Sequence, residues 1–162
     1  MTALRTLPAP LTGYRIGDPD GEFPIWDDGG ARQAFGRWHE AGSGVIYASE
    51  HYSTAMLEKL VHFGGELPGN QHFIEITLPA GVTYEVVNPD LLAGWTDISG
   101  IAAREFGRKW YAEKRSAILV VPSVVARMER NFIFHTGHED FARHGVGLET
   151  PVGWDARLLP PW

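Results

Sequence analysis

The chain has 162 residues, no cysteine and a formal net charge of −6. The length suits one domain able to bury a core of its own. Without thiols there are no disulfides, thiolate nucleophiles, zinc ribbons or iron–sulfur clusters, and the acidic balance argues against a general polyanion binder, whose affinity rests on many phosphate-neutralising cations.

Eleven of the 14 basic residues are Arg and three are Lys. Arg is the better shape for bidentate phosphate or carboxylate recognition, although coding habit alone produces such a ratio. Six Trp are present, enough for a core and for an aromatic wall in a ring-binding pocket. The longest apolar run, residues 117–122, is strand-sized. Neither a signal peptide nor a membrane span is expected, and a cytoplasmic location is the simplest expectation.

Residues 12–16 (TGYRI) read as a first strand, ended by Gly17-Asp18-Pro19. A loop follows to Gly30 with five acids, which lack the spacing of a calcium loop and read as solvated. Glycines punctuate residues 31–44, and residues 45–49 (VIYAS) form a buried strand. The clearest helix covers residues 54–63, with Ser53 as N-cap, Gly64-Gly65 as stop, and an apolar stripe of Met56, Leu57, Leu60 and Val61. Glu58 and His62, four apart, share a face beside that stripe.

Residues 71–78 alternate as a half-buried strand, and residues 82–87 form another, expected to pair with it as a hairpin. Residues 98–114 read as a second helix, with Ile101, Ala102, Glu105, Phe106, Lys109 and Trp110 at helical spacing. Gly100 and Gly107 weaken it. Residues 117–121 make a central buried strand stopped by Pro122, and residues 131–135 a last core strand. The tail from Gly145 reads as an irregular strap. Strands outnumber helices without regular alternation, so the fold class is α+β, with mixed or antiparallel sheets and flanking helices. One domain is expected over residues 1–162, its core about 12–135 and its strap 136–162.

Several chemistries lack their signatures. There is no Walker loop, no GxGxxG and no Gly-x-Ser-x-Gly elbow. His135 and His138 lack a third ligand partner and are expected to cap turns, so no metal site is assigned. Half of the basic residues lie between Arg104 and Arg130, where an exposed helix face explains them and direct nucleic-acid binding is not favoured.

An ordered set remains: Tyr14-Arg15, Phe35-Gly36-Arg37-Trp38-His39, Ile46-Tyr47-Ala48-Ser49, Leu57-Glu58 and Val121-Pro122-Ser123. In order and spacing, over residues 12–135, the chain resembles the RES domain family, named for an Arg, a Glu and a Ser. RES domains are the toxin halves of RES–Xre type II toxin–antitoxin pairs. Phe35 and His39 depart from the family's usual Gly and Asn. Of Ser116 and Ser123, the Val-Pro context selects Ser123 as the motif serine.

The resemblance implies an ADP-ribosyltransferase-like fold acting on NAD+ as substrate, with no prosthetic group. It implies an NAD+-degrading toxin, a glycohydrolase or phosphorylase. It also implies a cognate Xre-like antitoxin that occludes the pocket, and a toxin homodimer within a larger complex. Arg15 and Arg37 would clamp the pyrophosphate, and Tyr47 would wall the nicotinamide. Glu58 would stabilise the positive charge that develops on the ribose, and Ser123 would hydrogen-bond the ribose or amide. Arg37, Tyr47 and Glu58 are the catalytic candidates; Arg15, Arg37, Tyr47 and Ser123 are the substrate-binding ones. The alternatives are a mono-ADP-ribosyltransferase with a protein target and a catalytically silent binding module.

Overall fold

A computed structural model describes residues 3–160. The elements in chain order are β1 (Arg5–Thr6), β2 (Leu11–Gly17), α1 (Gly29–Gln33), β3 (Val45–Ser49), α2 (Tyr52–Leu60), β4 (His72–Leu78) and β5 (Thr83–Val86). They continue with α3 (Ile101–Glu113), β6 (Ile118–Pro122), β7 (Arg130–His135), β8 (Gly145–Val146) and β9 (Thr150–Pro151). The strands form one mixed sheet in the order β1-β5-β6-β7-β3-β2-β4-β8, with β9 also on β4. Among the described residues only β5 and β6 pair in parallel. Helix α3 makes the crossover between them, as a parallel connection requires.

Alternation assigns each side chain to a face. Ile118, Val120, Phe132 and Phe134 join Ile46, Ala48, Ile74 and Ile76 in one core. Leu119, Val121, Ile133 and Val45 face the other way, onto Trp38, Ala103 and Trp110. Strand β6 is buried on both faces, which is why its sequence is an unbroken apolar run. The α+β class therefore holds.

Several sequence expectations are corrected. Strands β4 and β5 do not form a hairpin: β4 pairs with β2, and β5 pairs with β1 and β6. The N-terminal segment takes the place of the hairpin partner, since Leu7 donates to Val82 O and accepts from Gly81 N. Helix α2 begins at Tyr52, one residue before the expected Ser53 cap, and makes no side-chain cap. Its buried residues are Thr54 and Ala55, whereas Leu57 and Val61 are exposed. The helix faces a cavity, and of the apolar stripe read from its sequence only Val61 lines it.

Helix α3 starts at Ile101 rather than Ile98, which is fully exposed. Gly100 precedes it in the left-handed region, at φ +65°, a conformation open to glycine. Of the expected stripe, Trp110 is buried and Phe106 packs beside it, while the rest of the buried face is Ala103 and Gly107. Gly107 is there for contact: a Cβ on it would stand 1.7 Å from the Trp38 carbonyl oxygen. The tail is less irregular than its sequence suggests, because β8 and β9 both pair with β4. Among the described residues no helix is long and apolar enough to cross a membrane.

Candidate active site

Strands β2 and β3 touch at a single residue pair, Tyr14 and Ser49, while β2 matches β4 along its whole length. The sheet therefore parts between β2 and β3. Arg15 spans the gap, donating from Nε to Ile25 O and from Nη1 to Tyr47 O. A guanidinium thus satisfies the β3 carbonyl that a full ladder would have paired. Burial pushes Arg15 down to about 10, partly offset by Asp27, so it remains cationic at neutral pH.

At this parting lies a cavity of about 600 Å³, within the usual ligand-binding range of roughly 300–1,000 Å³. Strands β2 and β3 and helix α2 form its walls, with the turn at Gly36-Arg37-Trp38 and the loop after β6. Helix α2 presents Ala55, Glu58 and Lys59, and His62 continues the same face one turn on.

Glu58 is held through one oxygen. Its Oε1 accepts from Ser123 Oγ at 2.7 Å and from Asn131 Nδ2 at 2.8 Å. Asn131 Oδ1 accepts in turn from Ser49 Oγ, its cross-strand neighbour. Ser123 Oγ accepts from Ala126 N, which folds the loop between β6 and β7. Ser49, Ser123 and Asn131 each donate one bond in this relay, which fixes the carboxylate plane. The second oxygen, Oε2, takes no hydrogen bond from the described residues.

The turn at residues 36–39 positions two more groups. Gly36 and His39 bridge each other, and a Cβ on Gly36 would come within 2.6 Å of the His39 ring. Arg37 Nη1 donates to Trp95 O and Asp97 O, both at 2.9 Å, which ties the turn to the segment before α3. Trp38 is buried against Gly107. His39 is buried too, with Nε2 against the carbonyls of Ala34 and Ala31. Carbonyls only accept, so Nε2 carries the hydrogen. Burial keeps the ring below the ordinary histidine range, hence neutral, and Nδ1 accepts from the Tyr47 hydroxyl at 2.7 Å. Trp38 N donates to the same hydroxyl. The Tyr47 hydroxyl is thus spent inside the protein, burial pushes its pKa up, and its ring meets the cavity.

The family model described as the RES domain matches residues 12–155. The chain belongs to the RES domain family. Similar proteins include the Prs ADP-ribosylating toxin of Sphingobium sp. strain YBL2, 37% identical over 116 residues, 68% of this chain and 72% of that one. Toxin Res of Photorhabdus laumondii is 31% identical over 83% of this chain and 88% of its own. Toxin Res of Pseudomonas putida is 33% identical over 80% and 90%. The Mycobacterium tuberculosis MbcT–MbcA toxin–antitoxin complex contains a chain of the same fold, with a TM-score of 0.73 at 12% identity over 91% of this chain and 86% of that one.

The five RES-pattern residues Arg15, Arg37, Tyr47, Glu58 and Ser123 all converge on this cavity, four in its wall and Ser123 through its bond to Glu58. Ser116 does not: it is buried, accepting from Trp110 Nε1 and donating to Ile118 O. The two RES departures part company. Phe35 lies at the surface, under the Arg104 guanidinium at 4.3 Å, whereas His39 is an internal support of Tyr47. Sequence reasoning missed Asn131, Ser49 and Lys59. Asn131 gave one usable signal, an amide directly before the apolar run Phe132-Ile133-Phe134. His135 and His138 cap turns, accepting from Gly137 N and Asp140 N. The basic run is largely committed: Arg108 to Glu105, Arg115 to Glu85 and Glu113, Arg130 to Glu50.

Proposed function

We propose that this RES domain is the toxin of a toxin–antitoxin pair and cleaves the nicotinamide–ribose bond of NAD+. The observation that carries the reading is Glu58: a carboxylate fixed through one oxygen, with the other unpaired, on the wall of a cavity that also presents Arg15, Arg37 and the Tyr47 ring. Breaking the bond sends its electron pair to the nicotinamide nitrogen, which neutralises the departing ring. Positive charge develops on the ribose. A preorganised carboxylate in a partly dry site stabilises that charge far better than water does. The acceptor oxygen then bonds the ribose carbon and sheds its proton. No strong general acid is needed, because the leaving group starts out cationic.

The remaining residues fit binding roles. Arg15 and Arg37 offer the guanidinium atoms they have not spent on backbone carbonyls to the pyrophosphate. The Tyr47 ring walls the nicotinamide. Ser123 serves through Glu58, since its hydroxyl hydrogen is already donated there. NAD+ is the substrate, and no prosthetic group is part of the reading. In this proposal a cytoplasmic toxin, as a homodimer, is neutralised by an Xre-like antitoxin that covers the cavity.

Water or phosphate as acceptor gives a glycohydrolase or phosphorylase. A protein acceptor gives a mono-ADP-ribosyltransferase, a reading favoured by the name of the Sphingobium relative. Purified protein free of antitoxin, incubated with NAD+, is expected to release nicotinamide. Labelled ADP-ribose recovered free supports the first acceptor class, and label on protein in a lysate supports the second. No nicotinamide release with water, phosphate or lysate present overturns the proposal.

A further inference from the structure

We infer that Lys59 is a phosphate-binding residue of this cavity, supplying a point charge beside Arg15 for the phosphoryl oxygens of the substrate or of a phosphate acceptor. This rests on the NAD+ reading above and adds a group that the RES pattern of Arg, Glu and Ser does not contain.

Three observations carry it. Lys59 lies on the α2 face that lines the cavity, next to Glu58 and one turn from Ala55. It is half-buried, yet its ammonium makes no hydrogen bond or ion pair with the described residues. Arg15 acts on it through repulsion, and Asp18 attracts it from beyond ion-pair range. Burial is the main cause that lowers its pKa.

A lysine on a helix normally extends its ammonium into water. One that is partly desolvated, faces another cation and has no carboxylate in ion-pair contact raises the energy of the empty site. An anion bound between Lys59 and Arg15 removes the repulsion and pairs both groups. Counting Arg37, the cavity wall holds three cations against one carboxylate, Glu58. That excess suits a multiply charged anion such as a pyrophosphate. It does not suit a neutral nucleoside. Lysine contributes charge without a fixed fork, so it can serve either phosphate of the dinucleotide or a free orthophosphate.

Calorimetric titration of wild type, Lys59→Met and Lys59→Arg with ADP-ribose, nicotinamide riboside and orthophosphate tests this. Lys59→Met is expected to weaken ADP-ribose or orthophosphate binding about tenfold or more, with the cationic nicotinamide riboside bound no more weakly and with Lys59→Arg close to wild type. Loss for ADP-ribose alone assigns the pyrophosphate; loss for orthophosphate assigns the acceptor. Wild-type affinity of Lys59→Met for both phosphate ligands overturns the inference alone. Equal weakening of nicotinamide riboside overturns it as well, because that effect is structural. A wild-type protein that binds none of the three overturns the NAD+ reading together with it.

Discussion

The Asn131 amide donates to Glu58 Oε1 at 2.8 Å, joining the start of β7 to the last turn of α2 across the cavity. The carboxylate is therefore aimed by the sheet, and only its Oε2 remains for substrate. Glu58→Gln keeps an oxygen acceptor for Ser123 and Asn131 but removes the charge. It is expected to lower NAD+ turnover by roughly 10²–10³-fold, the usual cost of deleting one preorganised electrostatic partner, with little change in melting temperature. Nicotinamide release at saturating NAD+ measures the first and circular dichroism the second. Unimpaired turnover excludes Glu58 from the chemistry.

Asn131 acts through Glu58, so its removal should divide differently. Asn131→Ala deprives Glu58 Oε1 of one donor and leaves Ser49 Oγ without its acceptor. The expected result is a stability loss of about 1–3 kcal/mol and a fall in kcat that exceeds any rise in KM. Asn131→Asp should fare worse than Asn131→Ala in kcat, because it sets a second carboxylate against Glu58. Steady-state kinetics on the two variants decides; a change in KM alone shows that Asn131 binds substrate and does not position the carboxylate.

These contacts show what the sequence could and could not reveal. Strand positions in the core were legible because alternation and apolar runs are local: β3, β4, β6 and β7 are each five to seven residues long. Convergence of Arg15, Arg37, Tyr47 and Glu58 was legible only through the ordered RES motifs, as no local rule brings residues 15 and 58 together. Partners of β5 were not legible, because Leu7 competes for them from far away in sequence. The face of α2 was misread for a similar reason. A helix that borders a cavity turns charged residues inward, so Glu58 and Lys59 look like a solvent face to any pattern that assumes an apolar core. Ser49 stands within the motif of residues 46–49, but its role and that of Asn131 emerge only when β3 and β7 set the two side by side.

Gly107 illustrates a position where propensity and packing oppose each other. Replacing a mid-helix glycine by alanine gains about 1 kcal/mol of helix propensity. Here the new Cβ would stand 1.7 Å from the Trp38 carbonyl oxygen, a backbone atom with no room to yield. Overpacking of that kind costs about 3 kcal/mol or more, so the clash wins. Gly107→Ala is expected to be destabilised in urea unfolding. It should also lose activity, since the Trp38 peptide supports the Tyr47 hydroxyl and precedes His39. A stabilised Gly107→Ala would show that α3 does not press on the turn at residues 36–39.

The last expectation concerns acid. Burial, the largest cause in each case, holds the imidazoles of His39, His135 and His144 below the ordinary histidine value. In the unfolded chain they return to about 6.5. Below that pH the unfolded chain takes up protons that the native state refuses. The stability tied to these neutral rings is therefore complete above about pH 6.5 and declines as pH falls toward their native values. Lowered carboxyl groups such as Asp28 act in a separate window, beneath about pH 4. Melting temperature is thus expected to fall between about pH 7 and pH 5, before any carboxylate contributes. His39→Asn places the usual RES residue at this position and removes one of the three rings, so its decline should be shallower. Protonating His39 also removes the acceptor for the Tyr47 hydroxyl. Wild-type activity should therefore drop on the acid side more steeply than that of His39→Asn. Equal acid limbs for the two proteins would separate His39 from the pH response and leave its contacts with Tyr47, Ala31 and Ala34 as packing alone.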